Sequence, residues 1–119
     1  MKNEFDWDEG NIRHIVRDYP ERGNTIEEVE SLFDDEDFVG GFDRYDSLTG
    51  EPRYWGMGIG TQGIVKYVVY VDRNDKIRPI TCHTAKRNQR QFYHEQAKAK
   101  RAQQTDSDRD EEFDVPSGV

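Results

Sequence analysis

The sequence predicts a small α+β domain with two N-terminal helices, an antiparallel sheet of three to four strands and a basic C-terminal helix. Three observations lead there. Apolar residues recur at helical spacing in the first third, short apolar strand-like runs separated by turn signals fill the middle, and a charged stretch with helical periodicity follows. In this order of elements the helices are expected to pack on one face of the sheet.

Each element has its own signal. In "DWDEGNIRHIVRDY", Trp7, Asn11, Ile12, Ile15, Val16 and Tyr19 share a helical face, and Asp6 with Glu9 makes a capping box, so a helix is read from about Trp7 to Asp18. Pro20 and Gly23 break it. "TIEEVESLF" starts a second helix, capped by Thr25 with Glu28 and carrying Ile26, Val29, Leu32 and Phe33 on its apolar face. "FVGGFDRYD" is weakly strand-like because of its paired glycines. "PRYWGMGIG" and "IVKYVVYVD" are stronger strands joined through "TQG", and "RND" turns the chain into "KIRPITCH". Pro79 removes a ladder donor and predicts an edge or a bulge in that last strand. From about Thr84 to Gln103 the chain reads as a helix. Its residues Lys86, Arg87, Arg90, His94, Lys98 and Arg101 fall within one arc of about 120°, with Ala85, Phe92 and Ala99 opposite.

Composition narrows the function classes. With 33% apolar and 35% charged residues in 119, only a thin, aromatic-dependent core is expected. One domain over residues 1–103 and an acidic, disordered tail over 104–119 follow. The acidic start has no leader-like pattern and no apolar run approaches a membrane span, so a soluble, cytoplasmic protein without membrane contact is expected. One cysteine and three scattered histidines give no metal-ligand spacing, and neither metal nor cofactor is expected. Net charge is −8, unpromising for a nucleic-acid partner. The distribution reverses that inference. Residues 1–60 carry six basic and sixteen acidic side chains, residues 61–101 ten and three, and the rest one and six. The middle segment can therefore present a local positive field within a Debye length of about 8 Å.

Three stretches, spanning about residues 5 to 94, together resemble the BrnT (DUF497) family of type II toxins, small ribonucleases paired with a DNA-binding antitoxin. "FDWDEGNIRHIVRD" is similar to the family's opening aromatic-x-Trp-Asp helix, "TIEEVESLF" to its second helix, and "KIRPITCHTAKRNQRQFY" to its closing arginine-rich strand and basic helix. The resemblance implies a RelE-related fold and metal-independent RNA cleavage by 2′-hydroxyl attack. It also implies a ribbon-helix-helix, BrnA-like antitoxin through which oligomers would form. Such cleavage needs a base for the 2′-hydroxyl, a cation on the pentavalent phosphate and an acid for the departing oxygen.

Candidate residues follow from that chemistry. His83, at the strand-to-helix edge, is the leading acid or base. Arg78 is suited to bidentate phosphate binding. Arg53 and Lys66, on the central hairpin, are expected to face the same side of the sheet as the basic helix, and Tyr93 completes the catalytic candidates. Lys86, Arg87 and Arg90 are the RNA-binding cluster. Trp55 and Tyr67 read mainly as sheet packing, with base stacking as the functional option, and Cys82 as a small buried hydrophobe. Where the family's closing run has Ala-Arg, this chain has Cys82 and His83. Ile59 and Ile64 stand for two hairpin arginines, and Gln89 for a glutamate. These replacements support a second reading, a catalytically weakened member that binds RNA or a protein partner without cleaving.

Overall fold

The computed structural model describes residues 3–117, with side chains described through residue 103. The tail expected from 104 onward lies outside those described side chains. The architecture is α+β, as the sequence predicts. A short helix α1 (Glu9–Ile12) runs into a π-helical turn (Arg13–Arg17). A 3-10 turn (Pro20–Arg22) and helix α2 (Ile26–Leu32) follow. Strands β1 (Val39–Tyr45), β2 (Pro52–Ile59), β3 (Val65–Arg73) and β4 (Lys76–Thr84) form a wholly antiparallel meander in the order β1-β2-β3-β4, and helix α3 (Arg87–Ser117) closes the chain.

Local chemistry fixes the boundaries. The first helix is capped two residues later than its sequence signature suggests. Asp8 accepts from the Gly10 and Asn11 amides, while the Asn11 side chain accepts from the Asp8 amide. Asn11 also donates to the carbonyls of Asp6 and Pro79, which ties the helix start to β4. Thr25 caps α2 as expected, accepting from the Glu28 amide, but the Glu28 side chain turns into the protein instead of back to the cap. Asn74 and Asp75 both take left-handed φ, the two-residue turn that matches strand twist. Ile80 is the extra residue of a bulge beside Pro79, in a strand at the sheet edge. Residues 4–6 partly cover that edge, with Asp6 donating to Ile77 O and Ile77 donating to Glu4 O.

The helices do not share a sheet face. On one face, Ile15, Val29 and Leu32 pack onto Val68 and Cys82 with no exposed area, each buried aliphatic side chain contributing about 1.5–3 kcal/mol. Phe38 lies against this face because Gly40, Gly56 and Gly58 leave it room. A Cβ on Gly56 would stand 2.2 Å from the Phe38 ring, and one on Gly58 would stand 2.5 Å from the Leu32 carbonyl. α3 crosses to the other face, where Ala85 and Tyr93 pack on Met57 and Val65. Its buried stripe is Tyr93 and Ala97, whereas Phe92 and Ala99, assigned to that stripe by the helical wheel, are exposed. The wheel follows average hydrophobicity, but the helix docks through a tyrosine whose hydroxyl has an acceptor on the far side, Asp35.

Candidate functional site

Directly opposed residues of neighbouring antiparallel strands point to the same side of a sheet. The register therefore defines the face that carries α3 row by row. One row reads Arg44, Arg53, Val71, Arg78; the next reads Gly41, Trp55, Val69, Thr81; the third reads Val39, Met57, Tyr67, His83. α3 and the residues just before it cover Met57 in the third row, and Phe92 reaches Trp55 in the second. The remaining rows form a partly exposed face that groups arginines, aromatic rings and His83.

The rings line up across three strands. Trp55 and Tyr67 are 6.1 Å apart with planes 2° from parallel, and Tyr67 and His83 are 5.2 Å apart at 18°. His83 Nδ1 lies 2.8 Å from the carbonyl of Thr84. A carbonyl only accepts, so Nδ1 carries the hydrogen and the neutral ring keeps Nε2 as a proton acceptor. Burial, and then the charge of Asp43, raises the Tyr67 pKa and keeps its phenol protonated.

Three of the arginines on this face, Arg53, Arg73 and Arg78, are held by carboxylates, and Arg44 is exposed. Arg78 lies 3.0 Å from each oxygen of Asp8 and 3.7 Å from Asp6. Its hydrogen bond, aided by the Asn11 amide, holds Asp8 below the usual carboxylate range. Arg53 pairs with Asp46 at 3.2 Å. Arg73, two residues beyond Val71 on the same face, grips both oxygens of Glu51 at 2.7 and 3.1 Å. Sequence reading passed over Arg73, whose only cue was its position at the end of an apolar strand.

Of the catalytic candidates, the register puts His83, Arg78 and Arg53 on the same face, with the two arginines about 13 Å along the strands from His83. It does not bring Lys66 or Tyr93 to the exposed part of that face. Lys66 alternates with Tyr67 and lies on the opposite face, so it does not share a side with Arg53 or α3 as expected. It is fully buried, donating to Asn24 Oδ1 at 2.9 Å and Gln62 Oε1 at 3.0 Å, with Glu28 Oε2 at 3.8 Å. Tyr93 is 3% exposed and donates to Asp35, which also accepts from the Ile59 amide at 2.7 Å. Burial raises the Tyr93 pKa, and the bond to Asp35 raises it further. Burial alone would raise the Asp35 pKa, but hydrogen bonds from Tyr93, Ile59 and Asp37 outweigh it and hold the group below its usual value.

Lys86, Arg87 and Arg90 are exposed, and Arg90 donates to Ala85 O at 2.7 Å. Arg90 lies on the flank of α3 away from the rings, and none of the three lines the cavity beside the rings. The flank beside the rings presents Asn88 and Phe92, each about 160° around the helix from Arg90 at 100° per residue. Asn88, Gln89 and Phe92 join Trp55, Met57 and Tyr67 around a cavity of about 270 Å³. A second hollow of about 240 Å³ lies beside Arg78, lined by Gly10, Asn11, His14 and Ile80. Among the described residues no three His, Cys, Asp or Glu side chains gather to hold a metal ion, and no helix is long and apolar enough to cross a membrane.

Comparison with known proteins adds one finding. The family model for "Ribonuclease toxin, BrnT, of type II toxin-antitoxin system" matches residues 7–89. No curated protein matches the chain.

Proposed function

The chain belongs to the BrnT family of ribonuclease toxins of type II toxin-antitoxin systems, and from that premise we propose that it cleaves RNA on the partly exposed sheet face without a metal ion. The observation that supports the reading is the three-row register, which puts Arg53, Arg78 and His83 on one face of the sheet. His83 Nε2 takes the proton of a ribose 2′-hydroxyl. The 2′-oxygen forms a bond to the adjacent phosphorus, the bond from phosphorus to the 5′-oxygen breaks, and solvent water protonates the departing oxygen. Arg53 and Arg78 neutralise the phosphates. Their row is about 13 Å along the strands from that of His83, so the guanidinium groups hold the flanking backbone while the imidazole acts at the scissile bond. The products are a 2′,3′-cyclic phosphate and a free 5′-hydroxyl.

As a family member the chain has an antitoxin partner. We assign that partner to the ribbon-helix-helix class, and assign Lys86, Arg87 and Arg90 to long-range attraction of RNA, given that they are exposed and none of them lines the cavity beside the rings.

A test uses purified protein and a labelled RNA in the presence of a chelator. Cyclic-phosphate ends are expected, with the rate reduced about 10²–10⁴-fold in His83→Ala. Intact RNA with enzyme in excess, or a rate unchanged in His83→Ala, overturns the reading. A second reading, binding without cleavage, draws support from the arginines already paired with Asp8, Asp46 and Glu51 and from Ile59 and Ile64 at the family's arginine positions. Under it, RNA binds and the chain is never cut.

A further inference from the structure

The cavity between the sheet and α3 is not used by the proton and phosphate chemistry. Met57, 2% exposed, is among its apolar lining residues, and the parallel rings of Trp55 and Tyr67 lie along the sheet. Phe92, 39% exposed and set at 61° to Trp55, stands at the helix side. At about 270 Å³ it falls just below the roughly 300–1,000 Å³ of pockets that hold drug-sized ligands, a size suited to one ring system. Partly exposed aromatic walls of this kind take unstacked bases from single strands.

The two amides at the cavity add a polarity. The Asn88 carbonyl oxygen accepts from the Gln89 backbone amide at 3.0 Å, and the Gln89 carbonyl oxygen accepts from the Lys86 backbone amide at 2.8 Å. Backbone N–H groups only donate, so neither side chain can flip without losing its bond. Both amides are thereby left with NH₂ groups, and among the described residues these have no protein acceptor. The two lining amides thus have donors to offer a ligand. Guanine presents two adjacent acceptors, O6 and N7, whereas the corresponding edge of adenine presents one acceptor and one donor.

We propose that this cavity is the subsite for an unpaired guanine of the RNA strand, stacked on Trp55, bounded by Tyr67 and Phe92, and read at O6 and N7 by the NH₂ groups of Asn88 and Gln89. The assignment rests on RNA lying across the partly exposed sheet face, and it supplies that face with a base preference. It also places the selected base beside His83, because Tyr67 contacts both the cavity and the imidazole.

The test is binding of short 2′-O-methyl oligonucleotides, which cannot be cleaved, differing only in one central base. Guanine is expected to bind about tenfold tighter than adenine, and Trp55→Ala to lose about tenfold in affinity for every sequence, as a lost stacking partner does. Asn88→Asp keeps the carbonyl that accepts from Gln89 and replaces the donor by an acceptor, so the preference for guanine over adenine is expected to vanish while the circular dichroism spectrum stays unchanged. Equal binding of the two bases by the wild type, a preference for another base, or an unaltered preference in Asn88→Asp overturns the proposal. Failure of cleavage is read separately with unmodified RNA. Guanine-selective binding without cleavage removes the catalytic reading and leaves the subsite.

Discussion

Lys66 and His83 sit in adjacent rows of β3 and β4, yet one is sealed in the protein and the other faces solvent. The difference is one of parity. A step of one residue along a strand changes the face, and sequence alone shows only that both are basic residues in a basic segment. Lys66 instead ties the Gln62 turn and Asn24 to Glu28, whose other oxygen accepts from Thr61 Oγ1 at 2.7 Å and the Gln62 amide at 3.0 Å. Lys66→Met strands that carboxylate and is expected to cost about 3–5 kcal/mol in urea unfolding, with much of the loss restored by adding Glu28→Gln. Cys82 was legible in advance as a buried hydrophobe. It has no exposed area, and burial pushes its thiol up to about 12. The native protein is therefore expected to resist iodoacetamide at pH 8 and to react promptly once unfolded, which mass spectrometry would read directly. Asp8 is expected to compete with RNA for Arg78. Asp8→Asn keeps a good helix cap and removes the charge, so tighter RNA binding at low salt is the expected outcome of a titration.

At the level of elements, β3 was readable because six of its nine residues are Val or Tyr, and β4 because Ile77, Ile80, Thr81 and Thr84 follow a turn signal. β1 was harder to read for a specific reason. Its Gly40 and Gly41, which weaken any strand signal, are there to admit Phe38 on one face and the Trp55 ring on the other. The same explanation covers Gly58 in β2. A methyl group there meets the Leu32 backbone carbonyl, which cannot rotate away, so Gly58→Ala is expected to destabilise by about 1–3 kcal/mol in thermal or urea unfolding. For α3 the periodicity located the helix and its cations but misplaced its buried side, because Phe92 outweighs Tyr93 in any apolar count. The hydroxyl bond to Asp35 decided the docking, and a bond to a residue 58 positions away leaves no local trace.

For the whole molecule, the separation of acidic and basic segments is retained in space only in part. Arg53, Arg73 and Arg78, on the sheet face that carries α3, are matched by carboxylates from the acidic first half, Asp6, Asp8, Asp46 and Glu51. RNA binding should accordingly involve few net phosphate contacts. Arg44, Arg53, Arg73 and Arg78 together predict a slope no steeper than about −3 for log affinity against log salt on single strands. A titration from low to physiological salt would show it. Stability should also depend on acid. The folded pKa of Asp35 lies below the unfolded value near ~3.9, so its contribution is present above that pH and is lost as pH falls through the lower folded value. Tyr93→Phe removes one of the donors responsible, and the variant is expected to lose less stability than the wild type between pH 5 and 3. The segment from Glu4 to Asp8 joins these effects in five residues. It shields the β4 edge, starts the first helix and holds Arg78. Trimming the N-terminus back to the first helix would release a reactive arginine and bare a strand edge in one cut, yielding a stickier protein whose nucleic-acid affinity and self-association rise together. Purification tags therefore belong ahead of an intact Glu4–Asp8 segment, never in its place.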